Sequence, residues 1–515
     1  MAERAQPVSQ WPGIGAAALV AALILGTLAA VAARAETSGG FTSADWAALR
    51  FTLTQATMSA FFSVALAIPV ARALARRRFR GRRALIALLG APFILPVIVA
   101  ILGLLQVFGR SGWISDIMGV FGLPPIRIYG LHGVVLAHVF FNLPLATRLV
   151  LQAWQEIPAE RFRLAAQLGC NGMAMFRLIE MPMLKRTLPG VLAVIFAICL
   201  TSFAVALTLG GGPRATTIEL AIYQAFTYDF DLGRAALLSA LQLALTAATA
   251  LVALKFSRGD GFGTGLDRAL RRWDGGLPAI DTFWILAAAV FLMLPLASVV
   301  ISGIAGFFDM PAIVFRAALI SVLVAAASTA VLLLLALPMA TAAASGRYGF
   351  VELSGILGLA ASPLVIGTGL FILIRPIANP TTLALPVTAL VNAAMALPFA
   401  LRILVPAAQD ITARHGRLAL SLDMGKWTFF TRVLLPRMRP QIGFAAGLGA
   451  ALSMGDLGVI ALFADPQIAT LPLQIYRLMG AYQMQAAAGG ALLLLLLSMG
   501  AFWLLDRGGR WHAEA

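Results

Sequence analysis

Residues 155–182, QEIPAERFRLAAQLGCNGMAMFRLIEMP, recur as residues 409–436, QDITARHGRLALSLDMGKWTFFTRVLLP. Aligned without a gap, Gln155 meets Gln409, Ile157 meets Ile411, Arg163 meets Arg417 and Ala165 meets Ala419. Leu168 then meets Leu422, Phe176 meets Phe430 and Pro182 meets Pro436, and the same register pairs Arg148 with Arg402. A repeat so widely spaced exceeds any solenoid unit, so the chain consists of two homologous halves.

Both copies are polar loops between hydrophobic segments, and each reads as two short helices. In the first, Ile157, Leu164, Ala165 and Leu168 share a face, with Glu160, Arg163 and Gln167 opposite. Gly169 permits a turn that other residues resist. Met173, Phe176 and Ile179 resume a helical stripe that Pro182 is expected to end. A polar element with a compact apolar face suits two settings, a groove on a partner protein or the lipid headgroups. Two matched copies favour docking on a partner with two-fold symmetry.

The composition places these loops in a membrane protein. Of 515 residues, 60% are hydrophobic and only 12% charged, against roughly a quarter charged in soluble domains. Apolar runs long enough to cross a bilayer lie near residues 14–33, 52–74, 84–108, 130–152, 188–209 and 235–256. The second half answers near 279–303, 315–340, 353–374, 383–406, 441–463 and 485–505. The expected fold is therefore all-α and polytopic, with about 12 transmembrane helices in two parallel halves. Residues 1–254 form the first half, 255–281 a polar, Gly-rich linker, and 282–515 the second half. The small residues around Arg34 resemble a cleavage site, but the preceding apolar run is too long for an ordinary signal peptide, which favours a retained helix.

The net charge of +16 is explained by placement and calls for no nucleic acid. With both termini in the cytoplasm, most of the 38 Lys and Arg residues fall in inward-facing loops, including the dense run from Arg76 to Arg83. Both repeated loops then lie on the cytoplasmic side, and the lipid bilayer is the principal surrounding. Cys170 and Cys199, the only cysteines, have neither disulfide nor metal spacing. No phosphate loop is present, since Gly425-Lys426 runs into Trp427, and the chain is expected to be no enzyme and to carry no cofactor of its own.

The pattern A-A-x-x-L-G, a Phe seven residues after the Gly and a closing Pro resembles the EAA loop of ABC importer permeases, the element that couples to the ATPase subunits. Ala165, Ala166, Gly169, Phe176 and Pro182 carry the match, with Glu160 and Arg163 on the same loop. The second copy departs from it. Ala419, Arg417 and Phe430 are kept, but Leu420 replaces the second Ala and Asp423 replaces the Gly, with Gly425 two positions on. The resemblance implies coupling to two copies of a cytoplasmic ABC ATPase, which would bind the ATP. Within the family, residues 209–236 and 452–484 are similar to the fused two-half group that includes thiamine and ferric-iron permeases. That similarity implies import of thiamine, with its phosphate esters as further cargo, from a periplasmic thiamine-binding protein across the bacterial inner membrane, with ferric iron as the alternative cargo. An ion-coupled secondary transporter also accommodates twelve spans, but needs no docking loops and places more ionisable groups in its core.

One acidic residue invites a sharper reading. Asp456 lies inside an expected span, where a carboxylate faces a cavity or a partner. The position opposite it in the first half is Ser202, so the substrate path is not symmetric. Two roles are open to Asp456: attracting a cationic substrate, or a structural bond to a backbone amide or helix end. His138 and Asn392, also paired by the repeat, suit hydrogen bonds between helices. Residues 210–231 and 465–482 pair through Thr217 with Thr470, Leu220 with Leu473 and Tyr223 with Tyr476, and read as short helices at the outer mouth of the path.

Overall fold

A computed structural model describes residues 8–35, 39–90, 94–212, 215–256, 278–345, 349–463 and 468–510. Among these residues every regular element is helical, as lipid demands of a chain that must satisfy its backbone polar groups within each segment. The first half runs through Trp11–Ala35, Ser43–Arg76, Val97–Phe108, Leu131–Gln155, Met181–Leu200 and Leu232–Phe256. The second half repeats the succession as Pro278–Gly306, Ala312–Ala343, Pro363–Ile374, Ala384–Ser421, Arg439–Met454 and Met484–Arg510. Most of the expected linker, residues 257–277, lies outside the described residues.

Ten helices among the described residues are long and apolar enough to cross a membrane. The two other expected spans, near 353–374 and 441–463, are interrupted in the middle. Ala361-Ser362 separates Gly349–Ala360 from Pro363–Ile374, and residues 455–457 separate Arg439–Met454 from Gly458–Phe463. The first half carries the matching interruptions. Leu95-Pro96 precedes Val97–Phe108, and Thr201-Ser202 separates Met181–Leu200 from Phe203–Leu209. Proline explains two of these breaks, since its ring excludes a helical residue before it. Broken helices leave backbone groups without intrahelical partners, and at membrane depth they are tolerated only where protein or a cavity surrounds them.

The halves are interleaved. The first helix of each crosses to the other: Trp11–Ala35 packs on Ala312–Ala343 and Pro363–Ile374, while Pro278–Gly306 packs on Ser43–Arg76 and Val97–Phe108. Ala17, Val20 and Ile24 accordingly share a core with Leu332, Ala336 and Met339. Ile285, Leu292 and Val299 share one with Val64, Ile98 and Leu102. Glycine makes both crossings possible. A Cβ on Gly103 would meet the Pro295 carbonyl oxygen, and one on Gly369 would meet the backbone of Thr27. Lipid tails are as apolar as leucine, so close backbone approach, rather than a hydrophobic drive, holds such helices together.

Side-chain hydrogen bonds complete the frame at matched places. Thr52 accepts from the Ile218 amide at 2.9 Å and Ser321 from the Leu471 amide at 2.7 Å. Each bond fixes the start of a short helix, Ile218–Thr227 and Leu471–Gly480, that reads in the sequence as one of a pair. His138 bonds Ser59 and Asn392 bonds Ser453, both at 3.1 Å and both between helices.

Candidate functional site

The repeated loops form two similar surfaces. In the first, Ala159–Gln167 is a separate helix because Pro158 interrupts the chain after Gln155. The second copy has Thr412 at that position, and its first limb is no separate helix but the end of the 38-residue Ala384–Ser421 helix. The expectation of two short helices in each copy is corrected there. Pro182 does not end the helix either. A π-helical turn, Phe176–Glu180 in one loop and Phe430–Leu434 in the other, widens the backbone just before each proline, and the chain runs on into the next long helix.

The two turns have the same geometry despite the departure at Asp423. Gly169 has φ +71° and Asp423 φ +49°. Cys170 donates to the Ala165 carbonyl at 3.0 Å, and Met424 to the Ala419 carbonyl at 2.9 Å. Gly169 and Asp423 donate to Ala166 and Leu420 at 3.1 and 3.2 Å. Each turn thus closes its helix with the paired bonds of a left-handed C-terminal cap.

The apolar residues of the loop divide in a way that the helical stripe did not indicate. Ile157 and Ala165 turn inward, together with Phe162 and Met175, while Leu164 and Leu168 remain exposed beside Met173 and Leu178. In the second loop Ala419 and Phe429 are buried, and Leu418, Leu422 and Trp427 are exposed. Glu160, Arg163, Gly169, Arg417, Asp423 and Gly425 all lie at the surface, while Ala166, Phe176 and Phe430 are half-buried. Trp427 stacks on Phe430 with ring centroids 5.6 Å apart. The first loop is also tied to its bundle by charge. Arg72 reaches the buried Glu180 at 2.7 Å and covers the Phe176 ring at 5.0 Å.

The four helix breaks converge on a cavity of about 300 Å³. Leu95-Pro96, Thr201, Pro363 and Gly455-Asp456 contribute to its wall. Gly455 packs closely there, since a Cβ would stand 3.2 Å from the Pro96 Cα of the other half. Asp456 lines the cavity and makes the structural bond to a backbone amide. Its Oδ1 accepts from the Gly458 amide at 3.2 Å and so caps the short Gly458–Phe463 helix. Its Oδ2 is buried without a hydrogen-bond partner. Ser202 stands at the matching break, where its side chain makes no cap bond, and it is not among the lining residues; its neighbours Thr201 and Phe203 are.

A second carboxylate, passed over in the sequence, lines the same cavity. Glu219 sits in the first turn of Ile218–Thr227, is fully buried, and has no conventional hydrogen bond to either oxygen. Ser362 and Gln242 present the polar groups that face it. The signal in the sequence is the run T-T-I-E-L-A-I-Y, residues 216–223, in which one acid has apolar neighbours on every side of a helix.

No family model matches this chain. Curated relatives do. The thiamine transport system permease protein ThiP of Salmonella typhimurium is 39% identical over 534 residues, covering 100% of both chains. Its counterpart in Escherichia coli is 39% identical and covers 98% of both, and that of Haemophilus influenzae is 34% identical, covering 87% of this chain and 86% of the relative.

Proposed function

The chain belongs to the family of thiamine transport permeases, multi-pass inner-membrane subunits of ABC importers, and from that premise we propose that it carries thiamine into the cytoplasm. The observation that carries this reading is similarity along the whole chain to relatives whose names state that cargo. We extend it to thiamine phosphate esters only as further candidate cargo. A periplasmic thiamine-binding protein would deliver the ligand to the face that bears the two short paired helices.

The paired loops support separate motors. Two copies of a cytoplasmic ATPase would each seat against one set of exposed apolar side chains, Leu164 and Leu168 with Met173 on one loop, Leu418 and Leu422 with Trp427 on the other. Closure of the ATPase pair on ATP would draw the loops together and open the cavity outward. Hydrolysis would reverse the movement and release thiamine inward. The first loop leads without a break into the Met181–Leu200 helix, and the second leads into Arg439–Met454 with a single turn residue, Met438, between, so a displacement passes to the cavity wall rather than dissipating in flexible chain. With both termini in the cytoplasm, the two loops face the same compartment.

Uptake of labelled thiamine and of ferric ion, in cells lacking other importers of either, tests the cargo. Thiamine uptake that depends on this chain and on a co-purifying ATPase is expected. Ferric uptake without thiamine uptake would overturn the reading. Orientation has its own test: Arg163→Cys and Arg417→Cys should both react with a membrane-impermeant maleimide from the cytoplasmic side.

A further inference from the structure

Features that the fold requires occur in both halves. The helix breaks at Thr201-Ser202 and Gly455-Asp456 correspond, as do the left-handed turns at Gly169 and Asp423 and the bonds accepted by Thr52 and Ser321. A residue whose counterpart is chemically unrelated, and whose backbone role the counterpart does not share, is a candidate for a role beyond the frame. Glu219 is such a residue, because Pro472 stands in its place in the second half. Asp456 is another, because its counterpart is Ser202. The two acids come from opposite halves, and both line the one cavity where the breaks meet.

No Lys or Arg is among the residues that line this cavity. A buried carboxylate without a cationic partner is unfavourable, and a ligand or a proton can offset its charge. Glu219 is the stronger case, with both oxygens buried outside conventional hydrogen-bond geometry and only the neutral groups of Ser362 and Gln242 facing them; Asp456 keeps one buried oxygen without a conventional partner. An aromatic side chain, Phe203, lines the same cavity. A point beside Gly458, where a Cβ would stand, lies 3.7 Å from both Oδ1 of Asp456 and the edge of the Phe203 ring. Phe203 in turn packs against Tyr223 with centroids 5.2 Å apart. Carboxylates and an aromatic ring in one cavity suit an organic cation whose charge is spread over a flat ring, because the ring face and the acids attract the same sign.

We infer that Glu219 and Asp456, with Phe203 at their side, form a transmembrane binding site for an aromatic cation, in which Glu219 is the main specificity determinant. The inference rests on the reading of thiamine as cargo and adds residues to it: the thiazolium is the group the acids would receive, and Phe203 the surface it would lie against. Glu219 comes from a helix that also borders the proposed delivery face, so the site lies where cargo enters the bundle.

The test is equilibrium binding of labelled thiamine to the full-length permease in lipid nanodiscs, beside the cellular uptake assay. Wild-type protein should bind saturably. Glu219→Gln and Asp456→Asn should each weaken binding at least tenfold, and Glu219→Asp should recover most of the loss. Thiochrome, the neutral oxidised form of thiamine, should compete poorly against wild type, and its disadvantage should shrink in Glu219→Gln. Thermal unfolding separates recognition from architecture, since removing an unpartnered buried charge should leave the midpoint unchanged or raise it. Wild-type affinity retained in Glu219→Gln would overturn the inference while leaving the cargo intact, as would a lowered midpoint with binding lost in all three variants. Absence of thiamine uptake by wild-type cells would instead remove the cargo reading, and the inference with it.

Discussion

Gly169 and Asp423 turn the chain with the same left-handed backbone, one without a side chain and one with a carboxylate. Aspartate tolerates this conformation better than most residues, yet an L-residue held there is disfavoured by about 1 kcal/mol relative to glycine. Asp423→Gly should therefore raise the thermal unfolding midpoint slightly and leave transport intact. Gly169→Val should lower stability by about 1–2 kcal/mol, from backbone strain alone, since a Cβ at Gly169 meets nothing within 4 Å. It should also reduce the uptake obtained per ATP hydrolysed. Coupled transport at the wild-type ratio in Gly169→Val would mean that the turn does not set the position of the loop.

The helix crossings make a second, more severe prediction. Gly103 and Gly369 each face backbone of the other half's first helix, so Leu at either position must force the helices apart. A loss of about 1–3 kcal/mol is expected from overpacking. Gly26→Leu is the control, because that glycine lies on a crossing helix with nothing within 4 Å of its Cβ position. Thermal unfolding in detergent should separate the two classes. Equal midpoints for Gly369→Leu and Gly26→Leu would contradict the packing.

Much of this frame is legible in the sequence, and the parts that are not have identifiable reasons. The repeat of Arg163 in Arg417 and of Phe176 in Phe430 announces two halves, and the run of apolar segments announces a membrane bundle. The crossing of the first helices leaves no such trace. An apolar helix such as Trp11–Ala35 reads alike whether lipid, its own half or the other half covers it. The burial of Glu219 is legible only in part: the apolar run around it is visible, but a cavity built from four separate breaks is a tertiary fact. The same limit applies to Asp423, where sequence comparison sees a lost glycine and the backbone retains the turn.

The ion pair between Arg72 and Glu180 has no counterpart in the second half, where Leu434 occupies the position of Glu180. That substitution within the protein itself shows that an apolar side chain can fill this place at the base of a loop. Glu180→Leu alone should destabilise by about 3 kcal/mol, near the low end for a broken buried pair because Arg72 keeps 26% of its side-chain surface in solvent. The double replacement Arg72→Met with Glu180→Leu should recover most of that loss. Unfolding midpoints of the two single variants and the double variant form the required cycle. Losses that simply add would show that the charges do not interact.

Trp427 should dominate the attachment of the ATPase. It is 75% exposed, lies on the polar loop rather than on a long helix, and is held flat against Phe430. A tryptophan so placed has two physical explanations, a hot spot for a protein partner or an anchor in the lipid headgroups. The first predicts that Trp427→Ala weakens ATPase binding to the nanodisc-embedded permease by about thirtyfold, corresponding to a hot-spot loss of about 2 kcal/mol. The unfolding midpoint should not change, because the side chain fills no core. Met173→Ala at the matching position of the first loop removes less contact area and should weaken binding by a smaller factor. Leu168→Ser and Leu422→Ser should act in the same direction, because both side chains stand on the surface that the buried Ala165 and Ala419 leave exposed. Titration of purified ATPase onto each variant measures these effects directly. Full ATPase affinity in Trp427→Ala, together with altered partitioning between lipids of different headgroup charge, would assign the loop to the membrane surface instead.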